Sequence, residues 1–488
     1  MSRRIITIDP ITRLEGHGKI QIYLNDEGNV EHAYFQVPEF RGFEKFCQGR
    51  AVEEMPALTQ KICGVCPTAH HIASTKALDS LFKVEPPPAA KKIRELMYSA
   101  FMFEDHLLNF YFLAGPDFVM GPGAAKEQRN VFGVINKAGA EIGRKVIDIR
   151  KRVRAINGII SASSLYPVCG IPGGISKGLK KEEVEMIRSV AKDVIDFAKF
   201  TLKIFEDVVL KNKTYVDLII GDVYCHKTYY MGLVDDNNKV NFYDGKLRVV
   251  DQDGKEYAKF SPGDYTQHLE EIVMPWSYQK VLYLKNVGWK GFVEGKESGI
   301  YRVAPLARLN ASEGMATHLA QAEYERMYSV LGGKPVHHTL AYHWARLIEV
   351  MYAAEKIVEL AYDEEILSPK VRNIPVETPT EGIGVCEAAR GTLIHHYKTD
   401  KKGIVTNVNL LVATQNNAAA ISMSILKAAQ KLIKNGAVSD GILNMIEMAF
   451  RAYDPCFACA THSLPGEMPL IVSIYDKQKG LLQEIHRD

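Results

Sequence analysis

The sequence predicts a mainly α protein with small β parts, an α+β fold in which a bundle of long helices frames one buried metal site. Three observations predict it. Long stretches repeat apolar residues every three to four positions, the helical period. Two Cys-X-X-Cys pairs, Cys63/Cys66 and Cys456/Cys459, stand at opposite ends of the chain and need a rigid frame to meet. Between them, residues 213–305 turn to tyrosine, valine and glycine with hairpin-type turn signals.

In chain order, the opening segment reads as a small antiparallel sheet. A strand precedes Asp9-Pro10, and alternating residues at 19–23 and 30–37 flank Asp26-Glu27-Gly28. After Pro86-Pro87-Pro88 the apolar positions Ile93, Leu96, Ala100, Phe103, Leu107 and Phe110 predict a helix over 89–114. Similar patterns predict helices over 131–157, 180–211, 312–331, 338–362, 416–435 and 439–452. Four segments follow. Residues 1–212 hold the small sheet, helices and first cysteine pair; 213–305 form a β-rich insertion; 306–462 complete the bundle and the metal site; 463–488 form a tail with a candidate strand through Leu470–Ile474.

Composition narrows the function classes. The 488 residues are 47% hydrophobic and 24% charged, enough to bury a large core and too apolar for a disordered chain. Sixty basic against fifty-eight acidic residues leave a net charge of +2, so neither nucleic acid nor an anionic membrane is an expected partner. No apolar run is long enough for a membrane span or a secretory signal. Eight cysteines are too few for a disulfide scaffold in a chain of this size, which favours a reducing, cytoplasmic setting with thiols free to bind metal.

The i, i+3 spacing lets two sulfurs leave one side of a single turn, so two such turns supply four soft ligands. Taken alone, such pairs most often mean structural zinc, and iron-sulfur chemistry fits equally well. The spacing counts against zinc, because zinc sites gather their pairs within a short stretch to stabilise a small fold. The neighbours are also polar: His70 follows the first pair, and Asp454 and His462 flank the second. Titratable groups around thiolates suggest proton handling.

The stretches Lys61–His70 and Asp454–His462 resemble the two signatures of the nickel-iron hydrogenase large subunit. Asp9–His17 resembles that family's N-terminal motif, Phe40-Arg41-Gly42-Phe43-Glu44 its next, and Ala388-Ala389-Arg390-Gly391 its arginine segment. The resemblance covers nearly the whole chain, in the family's order.

It implies a catalytic subunit for the reversible heterolytic cleavage of dihydrogen to protons and electrons. Nickel would be held by Cys63, Cys66, Cys456 and Cys459, with Cys66 and Cys459 bridging to an iron that carries carbon monoxide and cyanide. Cys456 would be the first proton acceptor and Glu15 the gate toward solvent. Arg390, held by Asp105 and Asp454, would stand near the open coordination position. His70 would hydrogen-bond a bridging sulfur, and Thr414 would reach a cyanide nitrogen. Magnesium would be held by Glu44, the Leu410 carbonyl and His462. The family's precursor is cut after this histidine, so 463–488 would be a maturation extension removed by an endopeptidase.

The chain departs from the family at Lys61, where arginine is usual, at Ala389, where proline is common, and at Tyr166, where a histidine is expected. His337-His338 and His395-His396 lie outside the matched motifs and receive no role, and Cys47, Cys169, Cys225 and Cys386 read as small buried hydrophobes. No second cluster motif, Gly-rich dinucleotide fingerprint or flavin signature is present. Electrons must therefore leave through an iron-sulfur small subunit, with a further electron-transfer subunit and heterodisulfide reductase beyond it. The subtype most resembled is the archaeal, cytoplasmic enzyme that does not reduce deazaflavin. The alternatives are a deazaflavin- or NAD-reducing large subunit, the metal-free quinone-reductase relative and, from another class, a zinc-stabilised interaction protein.

Overall fold

The first three strands, Arg4–Ile8, Lys19–Leu24 and Val30–Gln36, pair in order as an antiparallel sheet, as the alternation predicts. The computed structural model describes residues 4–461 and, beyond them, only the backbone of two strands, Leu470–Asp476 and Gly480–Arg487, which pair antiparallel.

The frame is helical. Helix Tyr342–Ala361 packs between helix Pro88–Leu108 and helix Lys181–Phe205, and its Leu347, Ile348 and Val350 are fully enclosed. The predicted stretches are present with altered ends. The 89–114 helix passes into a π-helical turn over Asn109–Ala114, and the 181–205 helix does the same over Glu206–Leu210. The single helix expected over 131–157 is two, Val131–Ala138 and Ala140–Ser161, because Gly139 turns at φ 95° between them. The helix expected from 312 begins only at His318.

Two elements that position the site carry no periodic signal. Helix Pro67–Leu81 starts at the first cysteine pair and is buried on almost every side, so it lacks the one-sided apolar stripe that marks a surface helix. It lies flat on a three-stranded antiparallel sheet, Glu381–Ala388, Gly391–Thr399 and Val405–Leu411. Gly384 makes the approach possible: a Cβ there would stand 2.0 Å from the Ala73 carbonyl oxygen.

The β-rich stretch forms a four-stranded sheet in the order Tyr301–Arg302, Tyr229–Val234, Lys246–Val250, Glu256–Phe260. Its apolar face shares a cluster with Val385, Ile394 and Leu411, so it buttresses the sheet behind the 67–81 helix.

Candidate metal centre

Each cysteine pair sits where a turn runs into a helix. Cys63 ends a 3-10 turn with extended backbone, and Cys66 stands immediately before the 67–81 helix, which Pro67 starts. Cys456 precedes the short helix Phe457–Ala460, and its amide donates to Thr414 Oγ1 at 2.9 Å. Arg41 ties the two turns together. Its side chain donates to the Ile62 carbonyl at 2.5 Å, and its amide donates to the Thr461 carbonyl at 2.9 Å.

The four sulfurs converge. All lie within 4.8 Å of one another and all are buried, with Cys63–Cys456 at 3.2 Å, Cys66–Cys459 at 3.3 Å and Cys456–Cys459 at 2.9 Å. Metal–thiolate bonds of about 2.3 Å put neighbouring sulfurs about 3.8 Å apart in a tetrahedron, which is the scale of this cage. The electrostatics also call for a cation. Burial pushes the Cys456 and Cys459 thiols well up, while hydrogen bonds from Cys456, Cys459 and Cys66 draw Cys63 well down. Burial thus opposes ionising these thiols together, and a bound dication would offset that cost. A soft four-thiolate donor set fits nickel with a bridged iron. Among the described residues no other group of histidine, cysteine and carboxylate side chains gathers its donors this closely.

Glu15 reaches the centre because its segment is stitched to the second pair. Its amide donates to the Pro455 carbonyl and its carbonyl accepts from the Phe457 amide, at 3.4 and 3.0 Å. Gly16 permits this contact: it turns at φ 85°, and a Cβ would stand 2.9 Å from the Ala458 nitrogen. Upstream, Thr12 donates to Glu447 at 3.0 Å and Arg13 to Asp117 at 2.5 Å, anchoring the segment to the bundle. Glu15 Oε2 then accepts from Cys456 Sγ at 3.0 Å and from the Ala458 amide at 3.1 Å. Burial raises the Glu15 pKa, and the negative charge at Cys63 adds to it. The side chain is half-buried.

Arg390 lies on the other side, at the turn between strands 381–388 and 391–399. It donates to both Asp105 oxygens at 2.8 and 3.2 Å. Asp454 Oδ2 is 2.9 Å from its second terminal nitrogen, a charge contact whose angle falls short of a hydrogen bond. Burial opposes the guanidinium charge, yet Asp105 and Asp454 hold its pKa well above the usual value. Asp454 itself adopts a left-handed backbone, φ 56°, where the chain turns from helix Asp440–Arg451 into Cys456.

His70 Nε2 is 3.5 Å from Cys459 Sγ. Thr414 holds the Cys456 amide, a contact that spacing could not reveal. Replacing it by valine is expected to leave that buried amide without its acceptor and to cost about 1–3 kcal/mol, read as earlier loss of metal on titration with urea. Glu44 and Leu410 do meet, but through the Leu410 amide, which donates to Glu44 Oε1 at 2.8 Å. His462 and the expected cleavage position lie outside the described residues. Two of the three family departures touch each other: Lys61 Nζ stands 3.5 Å over the Tyr166 ring.

Of the isolated cysteines, Cys47, Cys169 and Cys386 are buried, and burial pushes their thiols up to about 11, 11 and 12. Cys225 is only partly buried, against the expectation, because it lies in the loop entering the insertion. His395, set aside with His396, touches His70. A histidine two residues from a tyrosine on a strand gives no sign of this by itself.

The family described as nickel-dependent hydrogenase matches residues 41–155 and 144–462, and the one described as HoxL-like matches residues 5–40. The iron-sulfur subunit of an F420-non-reducing hydrogenase of Archaeoglobus profundus is 47% identical over 481 residues, 98% of this chain and 99% of that one. The beta subunit of the NAD-reducing hydrogenase of Cupriavidus necator is 37% identical over 99% of both chains. Among solved structures, an NAD+-reducing NiFe hydrogenase in the H2-reduced state superposes with a TM-score of 0.88 at 36% identity, covering 94% of this chain and 99% of that one. No helix among the described residues is long and apolar enough to cross a membrane.

Proposed function

The chain belongs to the nickel-dependent hydrogenase family, a hydrogenase large subunit with a Ni-Fe centre, and from that premise we propose that it cleaves dihydrogen heterolytically and reversibly. One observation supports this reading above the others: four converging thiols with a carboxylate on one sulfur and a clamped guanidinium beside them. When bound, the nickel-iron centre supplies the place where dihydrogen is polarised and its electron pair taken up. The iron's carbon monoxide and cyanide ligands are part of the proposal.

The side chains do the rest. Cys456 Sγ accepts a proton from the cleaved molecule, and Glu15 Oε2, 3.0 Å away, takes it next. The raised Glu15 pKa suits a group that must hold a proton and then release it. Arg390 keeps a fixed positive charge in a dry pocket, and Asp105 and Asp454 keep it from swinging. Glu44, with Leu410 and His462, would hold magnesium and brace the second cysteine pair.

Electrons pass to an iron-sulfur small subunit, then to heterodisulfide reductase, and the tail beyond His462 is removed by an endopeptidase after assembly. The full-length identity to an F420-non-reducing subunit, 47% against 37% for the NAD-reducing one, favours an F420-non-reducing subtype over an NAD-reducing one. All eight cysteines are free, which suits a cytoplasmic setting.

The test is the nickel, iron and zinc content of the anaerobically purified complex, assayed for dihydrogen-dependent reduction of a dye, NAD+, deazaflavin and heterodisulfide. Zinc without nickel or activity would sink the reading, and NAD+ reduction would redirect the electron route. Glu15→Gln is expected to leave the metal bound while slowing turnover and hydrogen-deuterium exchange about 10²- to 10⁴-fold. Wild-type rates in both assays would remove Glu15 from the proton path.

A further inference from the structure

Strand Gly391–Thr399 carries two adjacent histidines, and its pleat sends them to opposite faces. His396 meets the Tyr265 hydroxyl at 2.8 Å and Glu381 at 2.7 Å, close to the surface. His395 faces the 67–81 helix, with its Nε2 3.1 Å from His70 Nδ1. Its Nδ1 is 2.6 Å from the hydroxyl of Tyr397, which lies two residues on along the same face. That hydroxyl is 2.8 Å from Ser74 Oγ, one helical turn beyond His70.

Helix positions four apart and strand positions two apart thus line up a chain of polar groups. The match is geometric, since four helical residues rise about 6 Å and two strand residues about 6.6 Å. His70, Ser74, His395 and Tyr397 are each 0% exposed, so the chain of groups is shielded from bulk water. Its open end is His70 Nε2, 3.5 Å from Cys459 Sγ.

A neutral imidazole has one hydrogen for two nitrogens, and the bond made at one nitrogen decides what the other offers. When Tyr397 donates to Ser74, its oxygen accepts from His395 Nδ1, His395 Nε2 accepts from His70 Nδ1, and His70 turns a lone pair to the sulfur. When Ser74 donates to Tyr397, every donor reverses and His70 presents Nε2–H to the sulfur. The first order suits a thiol and the second a thiolate.

We propose that His395 and Tyr397 are positioning residues that set which ring nitrogen of His70 carries hydrogen toward the Cys459 sulfur, through a hydrogen-bond chain that works in either direction. The heavy atoms of the chain need not move. Its consequence for turnover rests on the hydrogenase reading, whereas the coupling of the two rings is a property of the folded chain.

Two readouts separate these. Nitrogen NMR of the full-length, metal-free chain labelled at histidine distinguishes protonated from bare ring nitrogens. Tyr397→Phe removes one hydroxyl and is expected to change the pattern at both coupled rings; an unchanged pattern overturns the proposal. In the assembled enzyme, His395→Phe keeps the ring volume and removes both nitrogens. Nickel and iron should stay, turnover should fall about tenfold, and Tyr397→Phe should lower it less. With His70→Ala already in place, adding His395→Phe should change turnover by less than about twofold. An equal loss with and without His70 identifies mere packing and overturns the proposal. If the assembled variants lose metal, the NMR comparison decides. The expected NMR pattern from a wild type without hydrogenase activity would refute the functional reading and leave the hydrogen-bond chain standing.

Discussion

Cys456→Ala is expected to yield a folded chain that retains no nickel and shows no dihydrogen-dependent dye reduction. Cys456 is completely buried, lies closest to both Cys459 and Glu15, and is the sulfur through which the proposed proton path begins. Removing it leaves three thiols, and the charge argument explains why they do not suffice: each missing thiolate weakens the anionic field that holds a cation. The fold survives because the helical frame, not the metal, carries the core, so the cost to stability is on the order of 1–2 kcal/mol. Metal analysis beside circular dichroism checks both halves. A variant that keeps stoichiometric nickel and turns over would take Cys456 out of the ligand set.

Arg390→Met is expected to be the most destabilising single change at the site, by about 3–5 kcal/mol at neutral pH, because it leaves Asp105 and Asp454 buried without their cation. The loss should depend on pH. Burial raises the Asp454 pKa, and without the guanidinium the main charge offsetting it is gone, so the deficit is absent below the unfolded carboxylate range and grows as pH rises through the folded value. Urea midpoints at about pH 5 and about pH 8 should differ more for the variant than for the wild type. Equal midpoints would mean that the pair does not depend on Arg390. Arg390→Lys keeps the charge without the two-pronged geometry, and is expected to hold metal while losing about 10²-fold in turnover.

Much of the frame was legible because surface helices write their inward face as a period. Residues 180–211 repeat apolar positions along one packed side, and they form a helix. The 67–81 helix and the 381–411 sheet were not legible for the opposite reason. They are buried on both sides, so their sequences carry no alternation to read. The same holds for His395, whose role depends on a helix more than three hundred residues away in sequence.

By itself the sequence determined the ligand types, their pairing within each turn and the family they resemble, since these depend on residue identity and on spacings of a few positions. It also set the helical frame, through periodicities that act over a single turn. Only the tertiary structure decided that the two pairs meet, that Glu15 rests on Cys456 and not on another sulfur, that Thr414 holds a backbone amide, and that His395 and Tyr397 stand behind His70. The physical reason is range. A hydrogen bond is set within about 3 Å, while the partners are hundreds of residues apart along the chain. Their distance is therefore a property of how the helices and sheets pack, which no local stretch of the sequence carries.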